Sequence, residues 1–453
     1  MKNDSIYIVI ALFAIKLLYM LTVDYMLPET YSILSFNKEI NWSLIAYEIP
    51  AFLLGAYLFL LSYKRNPVVD FFLVILFVMT FIPVNSGLVL SNNDVVYYVL
   101  NNCYSISILA VFAYFTRKNP SFDCIVRSED LVLSRRNWRI ISIFMIIASL
   151  VVIGYVYYQN GINISIIFVS EMYDVRADYT DYVQENTGGF ISYFVVLLGG
   201  ITKWLLPIYF YFSIRKGAIL SILLSLFSFI AIFSLSMEKS TLFFILIPFF
   251  VSIVVKKMIF KNIARYLVNC FLVLFGGSLL EFYNRGESIL FDVIIRRVFY
   301  MPSYICSQYY DFFSNHEKLW LRQDAFLIQN ILQRIFEKPY PYGATRVISE
   351  QIYEGYILSP NTGMMAEAYT QIGILGIFIF PFVVYFIFKY LYRYSSVLGM
   401  GAIIIISYKY FSSMHSVFIL APSTMVAMLV FIAVCYLIEK SINARQLNKY
   451  NRT

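Results

Sequence analysis

The sequence predicts an all-α polytopic membrane protein of about twelve transmembrane helices, with a large extracytoplasmic loop that contains interfacial helices. Three observations predict it. The chain is 60% hydrophobic and 14% charged, with a mean hydropathy of +0.71, whereas a soluble domain carries about 25% charged residues. Apolar runs recur at the roughly 20-residue length that crosses a hydrocarbon core. Backbone groups in lipid must pair within their own segment, so these runs are helices. Basic residues cluster beside alternate runs and so define one face of the membrane. The net charge of +8 is then an orientation signal, not a nucleic-acid footprint.

The expected spans cover 5–27, 42–62, 68–90, 95–115, 138–158, 189–213, 217–236, 240–256, 263–281, 363–388, 397–414 and 416–438. The first begins directly after Lys2 and is followed by no small-x-small cleavage pattern, so it reads as a span and not as a cleavable signal. Lys64-Arg65 follows the second span. Arg117-Lys118, Arg127 and Arg135-Arg136 lie between the fourth and fifth. Arg215-Lys216 follows the sixth, and Lys256-Lys257 with Lys261 follow the eighth. Lys389 and Arg393 follow the tenth, and Lys440, Arg445 and Lys449 come last. All share one side if both termini are cytoplasmic. The whole of 1–453 then reads as a single transmembrane domain. The five cysteines form no C-x-x-C pair, and only Cys306 lies in the long loop, which argues against disulfide staples and a thiolate metal site. No internal repeat is visible.

Two loops stand on the outer side. Residues 159–188 are acidic, with Glu171, Asp174, Asp178, Asp181 and Glu185 against Arg176. Residues 282–361 are longer and balanced in charge, and long translocated segments escape the charge rule. Their first part places Asp292, Arg296 and Arg297 within ILFDVIIRRVF. It reads as an interfacial helix with its apolar face in lipid, ended or kinked by Pro302. Its arginines either snorkel or bind an anion with their planar forks; adjacent residues point in different directions on a helix. The middle part spaces charges as an amphipathic helix would between Leu319 and Phe336. His316 there is a general-base candidate or a surface residue. In KPYPYGATRVIS, Pro339, Pro341 and Gly343 impose an irregular path that either holds Arg346 near a ligand or is a rigid turn.

Glu367 follows this loop, about a turn into the tenth expected span, with Tyr369, Thr370 and Gln371 nearby. An ionisable residue at membrane depth is costly and functional by default. Gly373 and Gly376 read as a close-packing pair. Between spans seven and eight, SLSMEKSTLFF puts Lys239 in a short outer turn, where the charge rule disfavours it.

These features resemble the Wzy-type oligosaccharide repeat-unit polymerases of bacterial O-antigen and capsule assembly. The resemblance covers most of the chain. It rests on the span number, the large loop before the tenth span and the junction NTGMMAEAYTQIGILG. That junction looks like the family's G-x-x-x-x-E-x-Y-x-x-x-G-x-x-G run, at Gly363, Glu367, Tyr369, Gly373 and Gly376, with the first glycine aligning loosely. The stretch around Arg296, Phe299 and Pro302 is similar too, and Lys239 stands where the family commonly has Arg.

The resemblance implies a GT-C-like multi-pass protein of the bacterial cytoplasmic membrane. Its substrate would be an undecaprenyl-pyrophosphate-linked oligosaccharide, with membrane lipids around it and a chain-length regulator as a possible partner. A hydroxyl of one repeat unit would attack the anomeric carbon of another, with no cofactor and no metal. Arg296, Arg297, Arg322, Arg346 and Lys239, backed by Arg285 and Arg176, would hold the diphosphate. Glu367 or His316 would be the base. Tyr309, Tyr310, Tyr340 and Tyr369 would contact sugars or serve as an interfacial belt. The O-antigen ligases share the plan. A flippase would move the same lipid without a covalent step; paired halves and mid-membrane charges mark that class. Here the spans are mostly clean, with Lys16 and Asp24 in the first as exceptions and Lys203 and Lys409 near the edges of others.

Overall fold

The computed structural model describes residues 2–27, 40–63, 67–91, 94–118, 135–160, 206–207, 209–214, 216–236, 262–323, 331–352 and 364–393. All regular structure among them is helical. Four helices among the described residues are long and apolar enough to cross a membrane: Asp4–Met26, Trp42–Ser62, Val95–Lys118 and Ile263–Arg285. They coincide with the expected spans at 5–27, 42–62, 95–115 and 263–281. Shorter apolar helices, Val69–Asn85, Ser142–Val151, Ile219–Ile230 and Ile374–Phe386, lie inside four further expected spans. The expected spans at 240–256, 397–414 and 416–438 lie outside the described residues, as does most of 189–213.

The chain divides into two compact units, one of Met1–Cys124, Ile259–Lys389 and Ser407–Phe418, the other of Ile125–Met258, Tyr390–Ile406 and Ile419–Thr453. In the second unit, helix α7 (Arg135–Asn160) packs against α8 (Ile219–Ser236). Ser225 and Ser228 of α8 return their hydroxyls to the carbonyls of Ser221 and Leu224, each at 2.7 Å. A serine buried in an apolar helix is satisfied in this way without a partner helix.

The first unit is built on α1 (Lys2–Met26), which lies along α9 (Ile263–Arg285), and on α2 (Ile45–Ser62), which lies along α6 (Val95–Lys118). Tyr19 meets Phe275 edge-on at 5.9 Å between α1 and α9. Phe52 and Phe59 of α2 meet Phe77 at 5.6 and 6.0 Å. Gly55 leaves room for the Phe81 ring, whose edge would stand 2.5 Å from a Cβ at that position.

The third expected span is not one regular helix. It runs as α3 (Pro67–Leu76), a π-helical turn (Phe77–Phe81), α4 (Ile82–Asn85) and α5 (Gly87–Ser91), interrupted at Ser86. Groups from other helices fill the interruption. Lys16 Nζ, fully buried, donates to Glu48 Oε2 at 2.5 Å, to Asn85 Oδ1 and Ser86 Oγ at 3.0 Å each, and to the Asn85 carbonyl at 3.4 Å. Glu48 Oε1 accepts the Val89 N–H at 3.0 Å. Asn85 Nδ2 donates to Asn102 Oδ1 at 2.9 Å and lies 3.3 Å from the Tyr98 hydroxyl. Backbone groups freed at a helix break in an apolar setting need such partners.

Helix α9 stops at Gly286, whose left-handed φ of 74° lets its N–H reach the Phe282 carbonyl at 2.7 Å. The segment after it departs in detail from the expectations in three places. Phe291–Tyr300 is π-helical; its Phe291, Ile295 and Phe299 are buried against protein, Phe299 meeting Phe275 at 5.2 Å, while Val293 is 59% exposed. The π-helical run ends at Tyr300, two residues before Pro302, and the backbone continues directly into α10 (Met301–Asn315) with Pro302 in its first turn. Between Leu319 and Phe336, residues 319–323 are not helical, and 324–330 lie outside the described residues. Helix there is confined, among the described residues, to 331–332, and Trp320 and Leu321 take left-handed φ values of 51° and 60°.

Helix α11 (Ala344–Ile352) begins after the irregular 337–343 path, with the Gly343 carbonyl accepting from Arg346 and Val347 at 3.0 Å each. The tenth expected span is broken into α12 (Met364–Ile372) and α13 (Ile374–Arg393) at Gly373, φ 62°. Gly373 thus makes the break, and Gly376 makes the close approach. A Cβ on Gly376 would stand 2.0 Å from the Ala368 carbonyl oxygen. Gly376→Ala is therefore expected to destabilise the protein by about 3 kcal/mol or more, because backbone rather than a side-chain tip must yield. Thermal unfolding in detergent checks this; an unchanged midpoint rules the close approach out.

Candidate functional site

Glu367 sits one turn into α12, which packs on α10 and α6. Ala366 and Ala368, both fully buried, keep that packing close. The carboxylate is 0% exposed. Around it, α6 contributes Asn101 and Tyr104, and α10 contributes Cys306 and Tyr310. The Cys306 Sγ lies 3.4 Å from Asn101 Oδ1 and accepts the Ala366 N–H, while Tyr104 lies within electrostatic reach of both Cys306 and Glu367. Burial pushes the Cys306 thiol far above its ordinary range, so it is a packed, uncharged group. Tyr310 stacks obliquely on Tyr369 at 4.5 Å.

A strap of residues 318–323 covers the end of α12. Leu319 and Trp320 donate their N–H groups to the Thr370 and Gln371 carbonyls at 3.0 and 2.8 Å. These are the last-turn carbonyls that a helix leaves without intrahelical partners. The Leu321 N–H bonds Gln371 Oε1 at 3.0 Å. Gln371 Nε2 bonds the Gln323 carbonyl at 3.1 Å and Glu367 Oε1 at 3.0 Å. The Lys318 stem lies over Gly373, 3.0 Å from where a Cβ would be, and its ammonium stands 5.1 Å above the Tyr369 ring.

Next to the strap, three of the expected residues come together. His316 stacks flat on Phe312 at 4.1 Å, and its Nδ1 is 2.8 Å from the Phe312 carbonyl. Arg322 pairs with Glu317 and donates to the Glu337 carbonyl at 3.2 Å. Tyr340 donates to the Glu317 carbonyl and lies against Phe312 and Phe313. Burial, then the Glu317 charge, holds the Tyr340 phenol above its usual range, so it remains a donor at neutral pH. Arg346 bonds Glu350 at 2.9 Å and covers the Tyr342 ring at 3.8 Å.

The other expected residues lie elsewhere or behave differently. Arg296 stands 3.6 Å from Asp292 with 14% of its side chain exposed, and Arg297, one residue on, is exposed. Arg285 lies 3.7 Å from Glu281 and is 65% exposed. Arg176 and Lys239 lie outside the described residues, as do residues 161–188 of the acidic loop. Tyr309 and Tyr310 are corrected as sugar platforms: both rings are fully buried, so no face is open to stack. Tyr369 is likewise enclosed between Tyr310 and Lys318. Gln371 was visible in the sequence only as a neighbour of Glu367. Asn101, Tyr104 and Cys306 carried no signal, because they come to α12 from distant helices: Tyr104 stands within electrostatic reach of Glu367, Cys306 meets the Ala366 backbone and Asn101 meets Cys306.

The arrangement offers a shielded carboxylate with cationic and aromatic groups on the cover above it. Exposed ion pairs are worth about 0–1 kcal/mol, so Arg346, whose side chain is 40% exposed, can exchange its carboxylate partner for a phosphate oxygen at little cost. Comparison of the chain with protein-family models, with curated proteins and with solved structures finds no match.

Proposed function

We propose that the protein is a metal-independent glycosyltransferase that joins undecaprenyl-pyrophosphate-linked oligosaccharide repeat units at the outer leaflet of a bacterial inner membrane. The observation that carries this reading is the buried Glu367 beneath a strap flanked by Arg322, His316 and Tyr340. It is supported by the resemblance of the Glu367 to Gly376 run to repeat-unit polymerases. In the proposed reaction a hydroxyl oxygen of the acceptor glycan forms a bond to the donor's anomeric carbon. The bond from that carbon to the diphosphate oxygen breaks, and undecaprenyl pyrophosphate leaves with the electron pair. The hydroxyl proton passes to the Glu367 carboxylate. Arginine forks neutralise the charge that develops on the leaving diphosphate, as preorganised donors do in acyl and phosphoryl transfer.

A flippase is the second reading, and one observation favours it: the interrupted third span with Lys16 and Glu48 at its break. All of the Lys16 ammonium's donors are engaged by neighbouring acceptors, which suits a structural tie better than a substrate site. Purified full-length protein in liposomes, given one lipid-linked repeat unit, separates the readings. Dimers and longer oligomers are expected. Movement of the lipid across the bilayer with no new glycosidic bond overturns the proposal in favour of a flippase. Consumption only when lipid A core is added overturns it in favour of a ligase.

A further inference from the structure

The carboxylate that serves as base in the proposed reaction is sealed from solvent, so an acceptor hydroxyl reaches Glu367 only after its surroundings open, and the strap joined to it through Gln371 is a part of them without regular helix. The side chain that joins the two is Gln371, and its orientation is determined. The Leu321 N–H can only donate, so the amide atom facing it is oxygen. The Gln323 carbonyl can only accept, so the atom facing it is nitrogen. The second hydrogen on that nitrogen is then committed to Glu367 Oε1 at 3.0 Å. One amide thus grips the strap from both sides and orients the carboxylate with what is left.

The strap is also strained where Gln371 holds it. Trp320 and Leu321 are consecutive bulky residues with φ of 51° and 60°, a conformation costing about 1–2 kcal/mol at each. Such outliers persist only where surrounding contacts over-determine them, and they gather at clamps and switches. Here the contacts are the three backbone N–H groups of residues 319–321, all spent on the end of α12. Gly373 leaves the space that the Lys318 stem occupies.

We infer that Gln371 is the positioning residue of the site: it aligns the Glu367 carboxylate and latches the 318–323 strap over it, so that admission of the acceptor and release of the base are one event. This rests on the reading of Glu367 as the base of a glycosyl transfer. A strap that lifts breaks the Leu321 and Gln323 bonds and frees Gln371 to follow the carboxylate toward the incoming hydroxyl. The strained backbone at Trp320 and Leu321 relaxes at the same moment, which offsets part of the lost bonding.

The test uses full-length protein in detergent or nanodiscs, with two variants and two readouts. Gln371→Met keeps the volume and removes all three bonds. Gln371→Glu keeps an acceptor for the Leu321 N–H but has at most one hydrogen, so it cannot donate to both the Gln323 carbonyl and Glu367. Amide hydrogen exchange of the peptide covering 317–323, measured without substrate, is expected to accelerate at least tenfold in Gln371→Met and less in Gln371→Glu. With a lipid-linked repeat unit as substrate, kcat is expected to fall about 100-fold in both variants, since misplacing a reacting group by about 1 Å has that effect. KM is expected to stay within threefold. Unchanged exchange in both variants overturns the latch, and turnover within twofold of the parent overturns the positioning role. If the parent protein itself makes no oligomer, the enzymatic reading has failed, while the exchange data still decide whether Gln371 holds the strap.

Discussion

Replacing Glu367 with glutamine is expected to lower the rate of oligomer formation by about 10²–10⁴-fold, the range over which a positioned general base contributes. The substitution is nearly isosteric. Its amide oxygen still accepts from Gln371 Nε2, so the packing of α12 on α10 and α6 is retained. Only the capacity to take a proton is lost. In the proposed reaction the lipid-linked donor is held by groups of the cover, above all Arg322 and Arg346, so KM is expected to change little. Steady-state kinetics with a single repeat unit checks both quantities. Unchanged turnover in Glu367→Gln removes the carboxylate from the mechanism. A parallel loss of folded protein would show instead that its role is structural.

The largest expected effect on stability is at Lys16. Lys16→Met leaves the Glu48 carboxylate fully buried beside Asn85 with its cation gone. Breaking a buried pair by removing one partner costs about 3–5 kcal/mol, because the remaining charge is uncompensated. The double variant Lys16→Met with Glu48→Gln removes both charges and keeps an acceptor for the Val89 N–H. It is expected to recover much of the loss, since buried pairs contribute little over well-packed neutral groups. The cycle is read from thermal unfolding and from the yield of inserted protein, and a coupling near zero would show that the pair does not stabilise the break at Ser86. The same double variant bears on function. A structural tie predicts that its folded fraction still forms oligomers at the parent rate. Loss of turnover in well-folded double variant would move Lys16 and Glu48 into the working site.

Four span boundaries were legible in the sequence to within a few residues. The expected 42–62 and 263–281 appear as Trp42–Ser62 and Ile263–Arg285. Glu367 was legible as a residue of interest from charge near an apolar segment, and His316, Arg322 and Tyr340 from their place in the long loop. What failed was local patterning. The spacing of charges from Leu319 to Phe336 resembled a helix face, yet its first residues, 319–323, are not helical: the N–H groups of Leu319 and Trp320 are used by the end of α12. Tyr309 and Tyr310 had the composition of a sugar platform, and both are fully buried, Tyr310 against Tyr369 of α12. Lys16 looked like an exception within a clean span, and its partner Glu48 lies 32 residues away on another helix.

By itself the sequence determined the class of the protein, the positions of its long apolar helices and the polar segment that interrupts them. Those are one-body properties: transfer of each residue between water and lipid sums along the chain, with no need to know what it touches. Only the tertiary structure decided that the third and tenth expected spans break at Ser86 and Gly373, that Lys16 and Glu48 close the first break, and that a strained strap seals Glu367 through Gln371. Each of these is a pairing between groups distant in sequence. The free energy of such a pair depends on geometry and local dielectric, and neither is written in the residues taken one at a time.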